Sequence, residues 1–241
     1  GEELMLGFDD KVVFVSGGNR GIGAAIVEQL ESFGAKVAYN FRSQPGDAGT
    51  LPIQSDVTDA DEMARTIEQV EDELGPIYGV VCNAGITRDG LASKMDHDDW
   101  RKVVDVNMTG AWNTVRPALP HMYERKSGAL VFISSIVGER GNIGQANYAA
   151  AKGGLISLSK TLALEGARYN VRSNVVAPGF IETDMLKPIP DKVKDKIRQQ
   201  IPMRRFGSPE EIAWAVTFLL SPEAGSFVTG ETVAVNGGHH T

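Results

Sequence analysis

Cysteine is almost missing from this chain. Cys82 is the only one in 241 residues, so no internal disulfide can form, and a reducing, cytoplasmic setting fits. Cys82 follows an apolar run and reads as a small buried residue. Histidine is scarce too, with four in all. No Cys/His group has metal-ligand spacing, and His239-His240 reads as solvated or as an assembly contact rather than a ligand pair. No apolar run approaches the roughly 20 residues that span a bilayer. The first ten residues, GEELMLGFDD, are acidic and lack a signal-peptide pattern. Positive charge is in deficit, with 24 Lys and Arg against 31 Asp and Glu and a formal net charge of −7. That argues against nucleic acid as the main partner. What remains is 42% apolar and 23% charged, enough for one sizeable core, with no linker or long-period repeat to mark a second domain.

Read in order, apolar runs alternate with helical patterns. Lys11 to Val15 reads as a buried strand. Gly17-Gly18-Asn19-Arg20-Gly21-Ile22-Gly23 leads from it into an apolar-periodic helix reaching about Phe33. A glycine loop between strand and helix lets backbone N–H groups approach a phosphate, although by itself such a loop is equally a structural turn. Lys36 to Asn40 is the second strand. No acid ends it to hold the ribose hydroxyls of NAD. Arg42, with Arg20 in the glycine loop, suits the 2′-phosphate of NADP, the alternative being two solvated surface charges. Residues 43–50, SQPGDAGT, are too short and too rich in breakers for a helix. A short crossover is therefore expected before a strand over 51–55.

A helix from Asp59 to Leu74 follows, with Asp59 near its cap. Next come a strand over 77–81 running into Asn83-Ala84-Gly85, and a helix from Asp98 to about Val115. Ala129 to Ile133 reads as a buried strand, and the alanine-rich run after it starts a helix reaching about Tyr169. Val171 to Val176 is a strand ended by Pro178-Gly179. Ser208-Pro209-Glu210-Glu211 opens a further helix, and Thr229 to Gly238 contains the last strand. This alternation predicts an α/β protein, a single-domain Rossmann fold over residues 1–241 with a doubly wound parallel sheet of about seven strands.

Chemistry concentrates in SSIVGERGNIGQANYAAAK, residues 134–152. Tyr148 and Lys152 are four apart and share one face of a helix. Ser135 sits where the preceding strand gives out, on a glycine-punctuated loop expected to fold back over that helix. A phenol, an ammonium and a hydroxyl converging on one point suit the reduction of a carbonyl. The phenol donates the proton, the ammonium lowers the phenol's pKa, and the hydroxyl hydrogen-bonds the oxygen as it gains charge. Taken alone, Y-x-x-x-K is as readily an ordinary helix pair. Residues 185–205 break the pattern with Lys187-Pro188-Ile189-Pro190 and a charged helix. Seven basic and two acidic residues lie between 187 and 205, either a solvated helix face or a mobile lid whose cations hold an anionic substrate handle.

The glycine loop spaced G-x-x-x-G-x-G directly after a strand, Asn83-Ala84-Gly85, and Ser135 with Tyr148 and Lys152 together resemble the short-chain dehydrogenase/reductase family, from Lys11 to Gly238. The resemblance implies NADPH-dependent carbonyl reduction by a tetrad of Asn107, Ser135, Tyr148 and Lys152, with Asn107 holding a water that links the lysine to solvent. It implies cofactor contacts from Gly17, Asn19, Arg20, Gly21, Ile22 and Gly23, from Arg42, from Asp56 and Val57 at the adenine, and from Asn83, Ala84 and Gly85. Pro178, Gly179 and Thr183 would lie near the nicotinamide, and Tyr148 and Lys152 on its ribose. A homotetramer is implied as well, with the last strand and tail at a subunit interface.

Within the family, NAGITRD (83–89), GQANYAAAK (144–152), APGFIETDM (177–185) and GSPEEIAWAV (207–216) are similar to 3-oxoacyl-thioester reductases. One branch acts on 3-oxoacyl groups carried by acyl carrier protein in fatty-acid synthesis. The other reduces acetoacetyl-CoA to (R)-3-hydroxybutyryl-CoA for polyhydroxybutyrate synthesis. GGNRGIGAAIV (17–27), YERK (123–126), EGARY (165–169) and VNGGHHT (235–241) resemble the second branch in its cyanobacterial form. The substrate contacts implied are Ser135, Gln145, Tyr148 and Phe180. Phe180 stands where the better-known acetoacetyl-CoA reductases have a tyrosine, and Asn142 and Ile143 stand where those have a glutamine and an aromatic residue. Of the basic pair that docks carrier protein in the first branch, Lys126 matches one position. Tyr169 occupies the other, with Arg168 displaced by one. A catalytically silent NADPH-binding scaffold is the contrasting class, and retention of all four tetrad positions argues against it.

Overall fold

Residues of the central strands are buried on both faces. In the computed structural model, which describes residues 6–241, Val13 and Val15 of β1 (Val12–Val15) enter one core and Val12 and Phe14 the other. The start of the acidic N-terminal stretch, residues 1–5, lies outside the described residues. The same alternation runs through β5 (Gly128–Ile133), where Ala129, Val131 and Ile133 face one way and Leu130 and Phe132 the other. Near-continuous apolar runs of this kind belong to parallel sheets covered on both sides.

The sheet has seven parallel strands in the order β3-β2-β1-β4-β5-β6-β7. The remaining strands are β2 (Lys36–Phe41), β3 (Leu51–Gln54), β4 (Ile77–Cys82), β6 (Val171–Pro178) and β7 (Thr232–Val235). On one face, α1 (Gly21–Ser32) packs with α9 (Pro209–Leu220) through Ile26, Leu30, Ile212 and Val216. On the other lie α2 (Ala60–Leu74), the helical run of α3 (His97–Val104) and α4 (Gly110–Val115), α5 (Leu119–Arg125) and α7 (Ala146–Gly166). Two further helices are α6 (Ile136–Arg140) and α8 (Asp191–Gln200). This is the doubly wound Rossmann-type arrangement expected.

Strand order reverses between β1 and β4, so the loops at their carboxyl ends diverge and leave a crevice. Capping follows the sequence: Asp59 accepts from the Glu62 N–H at 2.9 Å, and Ser208 with Glu211 forms a capping box. The helix expected from Asp98 to about Val115 is interrupted by a π-turn over Asp105–Thr109. Asn107 causes it. Its amide donates to the Val103 carbonyl at 2.8 Å, the acceptor its own backbone N–H would take in an α-helix. The ladder slips by one residue, and the Gly110 N–H bonds the Asp105 carbonyl. No helix among the described residues is long and apolar enough to cross a membrane.

Candidate active site

The glycine loop is clamped from both sides. Ser16 Oγ accepts the N–H groups of Asn83 (3.0 Å) and Ala84 (3.1 Å), and Asn83 Nδ2 donates to the carbonyls of Ser16 (3.1 Å) and Gly17 (3.0 Å). On the β2 side, Asn40 Oδ1 accepts from the Gly17 N–H at 2.9 Å and its amide donates to the Ser55 carbonyl at 3.0 Å. Gly17 and Gly21 hold φ of +66° and +54°, conformations glycine adopts without a Cβ penalty. Gly23 is required by packing, because a Cβ there would lie 2.1 Å from the Gly17 oxygen. No side chain caps α1 and no acid stands in its first turn. Its end therefore presents unpaired N–H donors and the positive pole of the helix to the crevice. That donor set fits a dinucleotide pyrophosphate.

Residues 43–50 form no helix, as expected, and fold back on this loop. Asn19 Nδ2 donates to the Gln44 carbonyl at 3.0 Å, and the Gly46 N–H donates to the Tyr39 hydroxyl at 2.8 Å. Arg42 and Arg20 are exposed at the rim. Arg42 Nε lies 3.6 Å from an Asp56 carboxylate oxygen, and the other oxygen of Asp56 accepts from Thr58. Val57 packs against Gly110, where an added Cβ would come within 2.7 Å of it.

Lys152 is buried, and its Nζ donates to the Ile133 carbonyl at the end of β5 at 2.8 Å. Ser134 Oγ donates to the Lys152 carbonyl at 2.8 Å, tying the same strand end to the middle of α7. Gly85 passes over both groups behind the site: a Cβ there would meet Asn107 Oδ1 at 2.6 Å and Lys152 Nζ at 3.4 Å. Asn107 gives its amide to the carbonyls of Val103 and Ile86, while its Oδ1 is buried without a partner among the described residues. Thr183 closes the ring from β6, with its methyl 3.6 Å from where a Gly21 Cβ would stand. Pro178 and Gly179 end β6 against β7, the Gly179 N–H donating to the Val235 carbonyl at 2.9 Å.

Two expectations change. Ser135 stands at the N-cap of α6, its hydroxyl accepting the Val137 N–H at 3.1 Å, so a helical turn and not a loose loop carries it. Gly138 makes this fit, since a Cβ there would come within 2.7 Å of the Lys152 backbone. Nor does Lys152 lower the Tyr148 pKa in the protein alone. Burial pushes the phenol up to about 12, the hydrogen-bonding hydroxyl of Ser135 works against that shift, and the Asp89 carboxylate adds to it. The ammonium stands 5.6 Å from the ring centre. Burial also pushes Lys152 down to about 8, so desolvation outweighs the attraction the spacing suggested.

A family model described as enoyl-(acyl carrier protein) reductase matches residues 17–240. The chain belongs to the short-chain dehydrogenase/reductase family. It is 54% identical over 239 residues to an acetoacetyl-CoA reductase of Synechocystis sp., covering 99% of this chain and 100% of that protein. An acetoacetyl-CoA reductase of Shinella zoogloeoides is 43% identical, covering 95% and 98%. A 3-oxoacyl-[acyl-carrier-protein] reductase of Salmonella typhimurium is 42% identical, covering 97% and 98%. Short-chain reductases use nicotinamide cofactors, which the glycine cradle suits.

Gln145 stands just before α7, its amide 3.1 Å from Asp89 Oδ1 and its carbonyl oxygen accepting from Asn142 at 2.8 Å. Phe180 turns towards the tail. Its ring neighbours are Phe206 and His239, and it lines a cavity of about 310 Å³ with Arg205, Asn236 and Gly237. Of the seven cations between 187 and 205, Lys187, Lys194 and Arg198 pair with acids one turn away, and Arg205 grips Glu211 with both nitrogens. Four of the segment's seven cations are thus paired within the chain. The clamps Ser16 and Asn40 went unread in the sequence. For Asn40 the available signal was an amide directly after the apolar strand run Val37-Ala38-Tyr39.

Proposed function

We propose that this chain reduces acetoacetyl-CoA to (R)-3-hydroxybutyryl-CoA with NADPH, in a route to polyhydroxybutyrate. The observation that carries the carbonyl chemistry is the meeting of Ser135, Tyr148 and Lys152 at the end of β5, beside the glycine cradle. Support for the thioester comes from the full-length likeness to the Synechocystis acetoacetyl-CoA reductase. Support for NADPH over NADH comes from Arg20 and Arg42 at the rim and from the lack of an acid at the end of β2.

In this reading the whole chain is one NADP-binding domain, with residues 185–205 as a lid. Gly17, Asn19, Arg20, Gly21, Ile22 and Gly23 hold the pyrophosphate, Arg42 the 2′-phosphate, and Asp56 and Val57 the adenine. Asn83, Ala84 and Gly85 line the crevice, and Pro178, Gly179 and Thr183 border the nicotinamide. The bound cofactor supplies a hydride to the C3 carbonyl carbon. Ser135 hydrogen-bonds the carbonyl oxygen, and Tyr148 delivers the proton that oxygen takes up. Lys152 keeps positive charge behind the phenol and holds the ribose. The unpartnered Asn107 Oδ1 suits a water that relays protons to Lys152. Gln145 and Phe180 border the acyl thioester. Exposed Trp112 on α4, Leu164 on α7, and Trp214 and Phe218 on α9 support a homotetramer. The single, buried cysteine suits a reducing cytoplasm.

A second reading, reduction of 3-oxoacyl groups on acyl carrier protein, is favoured by the Salmonella likeness and by the cations Lys126 and Arg168. The Arg168 guanidinium lies over the Tyr169 ring at 4.7 Å, and the Asn170 amide bonds the Lys126 carbonyl at 3.3 Å, which brings the two cations onto neighbouring turns. Steady-state NADPH oxidation with acetoacetyl-CoA and with acetoacetyl-acyl carrier protein, NADH serving as cofactor control, separates the readings. A higher kcat/KM for the CoA thioester is expected. A preference for the carrier thioester would move the enzyme to fatty-acid synthesis.

A further inference from the structure

The N-terminus of α7 is anchored by a residue that no catalytic motif calls for. Asn147 is completely buried in the first turn of the helix that carries Tyr148. Its amide nitrogen bridges two other segments, donating to the Arg88 carbonyl at 3.0 Å and to the Asp99 carbonyl at 3.2 Å. Its Oδ1 accepts the Tyr148 backbone N–H at 2.7 Å. That N–H belongs to the opening turn, where no intrahelical partner exists, and the residue at the cap, Gln145, makes no side-chain capping bond. Both hydrogens and the oxygen of one buried amide are thus used on Tyr148 and on the two segments facing it. Around Asn147 the same loops are tied again, the Gly90 N–H donating to the Gly144 carbonyl at 2.8 Å and Gln145 bonding Asp89.

We propose that Asn147 is a positioning residue that fixes the catalytic tyrosine relative to the segment following β4. This inference rests on the carbonyl-reductase reading given above. Asn147 is the one side-chain amide in the run ANYAAAK. Its full use of donors and acceptor explains its presence. Replacing it leaves the helix in place through the apolar packing of Leu155 and Leu162, but frees the first turn to shift. A displacement near 1 Å at a reacting group lowers turnover by about 10²-fold.

The test compares wild type, Asn147→Ala and Asn147→Ser, with NADPH as the binding probe and acetoacetyl-CoA and acetoacetyl-acyl carrier protein as substrates. NADPH Kd is expected to stay within about twofold while kcat falls by about 10²-fold in the alanine variant and by less in the serine variant, whose hydroxyl restores one bond. A purely structural role would lower Tm and leave kcat per NADPH-binding site at the wild-type value, and that result overturns the proposal. Failure of both variants to fold also overturns it, since Asn147 would then serve folding alone. A wild type inert on both thioesters sinks the reductase reading and this inference together. An active wild type matched by an equally fast alanine variant sinks only the latter.

Discussion

Lys152 Nζ donates to the Ile133 carbonyl at 2.8 Å, so the ammonium of the candidate site is held by the end of β5 rather than by the tyrosine one turn earlier. Burial sets its proton affinity, which falls to about 8. The charged lysine is the useful form, so kcat/KM for the thioester should be level below pH 8 and decline as pH rises through that value. Folding responds with the opposite slope. Between about 8 and the ordinary lysine value of 10.5, the unfolded chain holds a proton the folded chain has released. This site therefore favours folding more as pH rises across that window. A pH–rate profile and Tm measurements on wild type and Lys152→Met check both signs, since the methionine variant removes this contribution to the Tm slope.

Tyr148→Phe removes the proton donor and leaves the ring packing. Turnover should fall about 10²–10⁴-fold, with NADPH affinity nearly unchanged in a fluorescence titration. Normal turnover in this variant would refute its role as the acid.

Gly23→Ala would set a methyl 2.1 Å from the Gly17 oxygen and 2.6 Å from Asn83 Nδ2. The collision is with the backbone of the cofactor loop, which must shift. The expected result is NADPH binding weaker by about tenfold or more, read by titration calorimetry, because pyrophosphate contacts depend on that backbone.

Arg172 is a buried cation in β6 whose guanidinium donates to the carbonyls of Leu219 (2.5 Å), Leu220 (3.1 Å), Ser221 (3.2 Å) and Val228 (3.2 Å). It satisfies the carbonyl end of α9 and complements that helix's negative pole. Lysine cannot reproduce the planar fork. Arg172→Lys should cost about 2–4 kcal/mol in urea unfolding, the scale of losing charge-assisted bonds to buried carbonyls.

Charge reversal separates the two arginines that follow α8. Arg204 bonds the Gln199 carbonyl with no acid partner among the described residues, whereas Arg205 holds Glu211. If the lid binds a CoA phosphate, Arg204→Glu should raise KM for acetoacetyl-CoA several-fold at unchanged Tm. Arg205→Glu should raise KM and also lower Tm by breaking its ion pair, by an amount an exposed pair contributes, up to about 1 kcal/mol. Unchanged KM in both would remove the lid cations from substrate binding.

Apolar runs in Lys11–Val15 and Ala129–Ile133, breakers at 43–50 and caps at Asp59 and Ser208 were enough to read strand order along the chain, the missing helix after β2 and the α/β class. These are local signals: periodicity, turn chemistry and capping act within a few residues. Tyr148 and Lys152 were legible for the same reason, since a helix places positions four apart on one face. Tertiary structure decided what depends on distant partners. It showed that the Asn107 amide breaks the helix ladder, that Asn40 and Ser16 clamp the glycine loop, that Arg172 closes α9, and that Arg205 is claimed by Glu211. It also reversed the expected pKa of Tyr148, because desolvation depends on everything packed around a group and not on the charge four residues away.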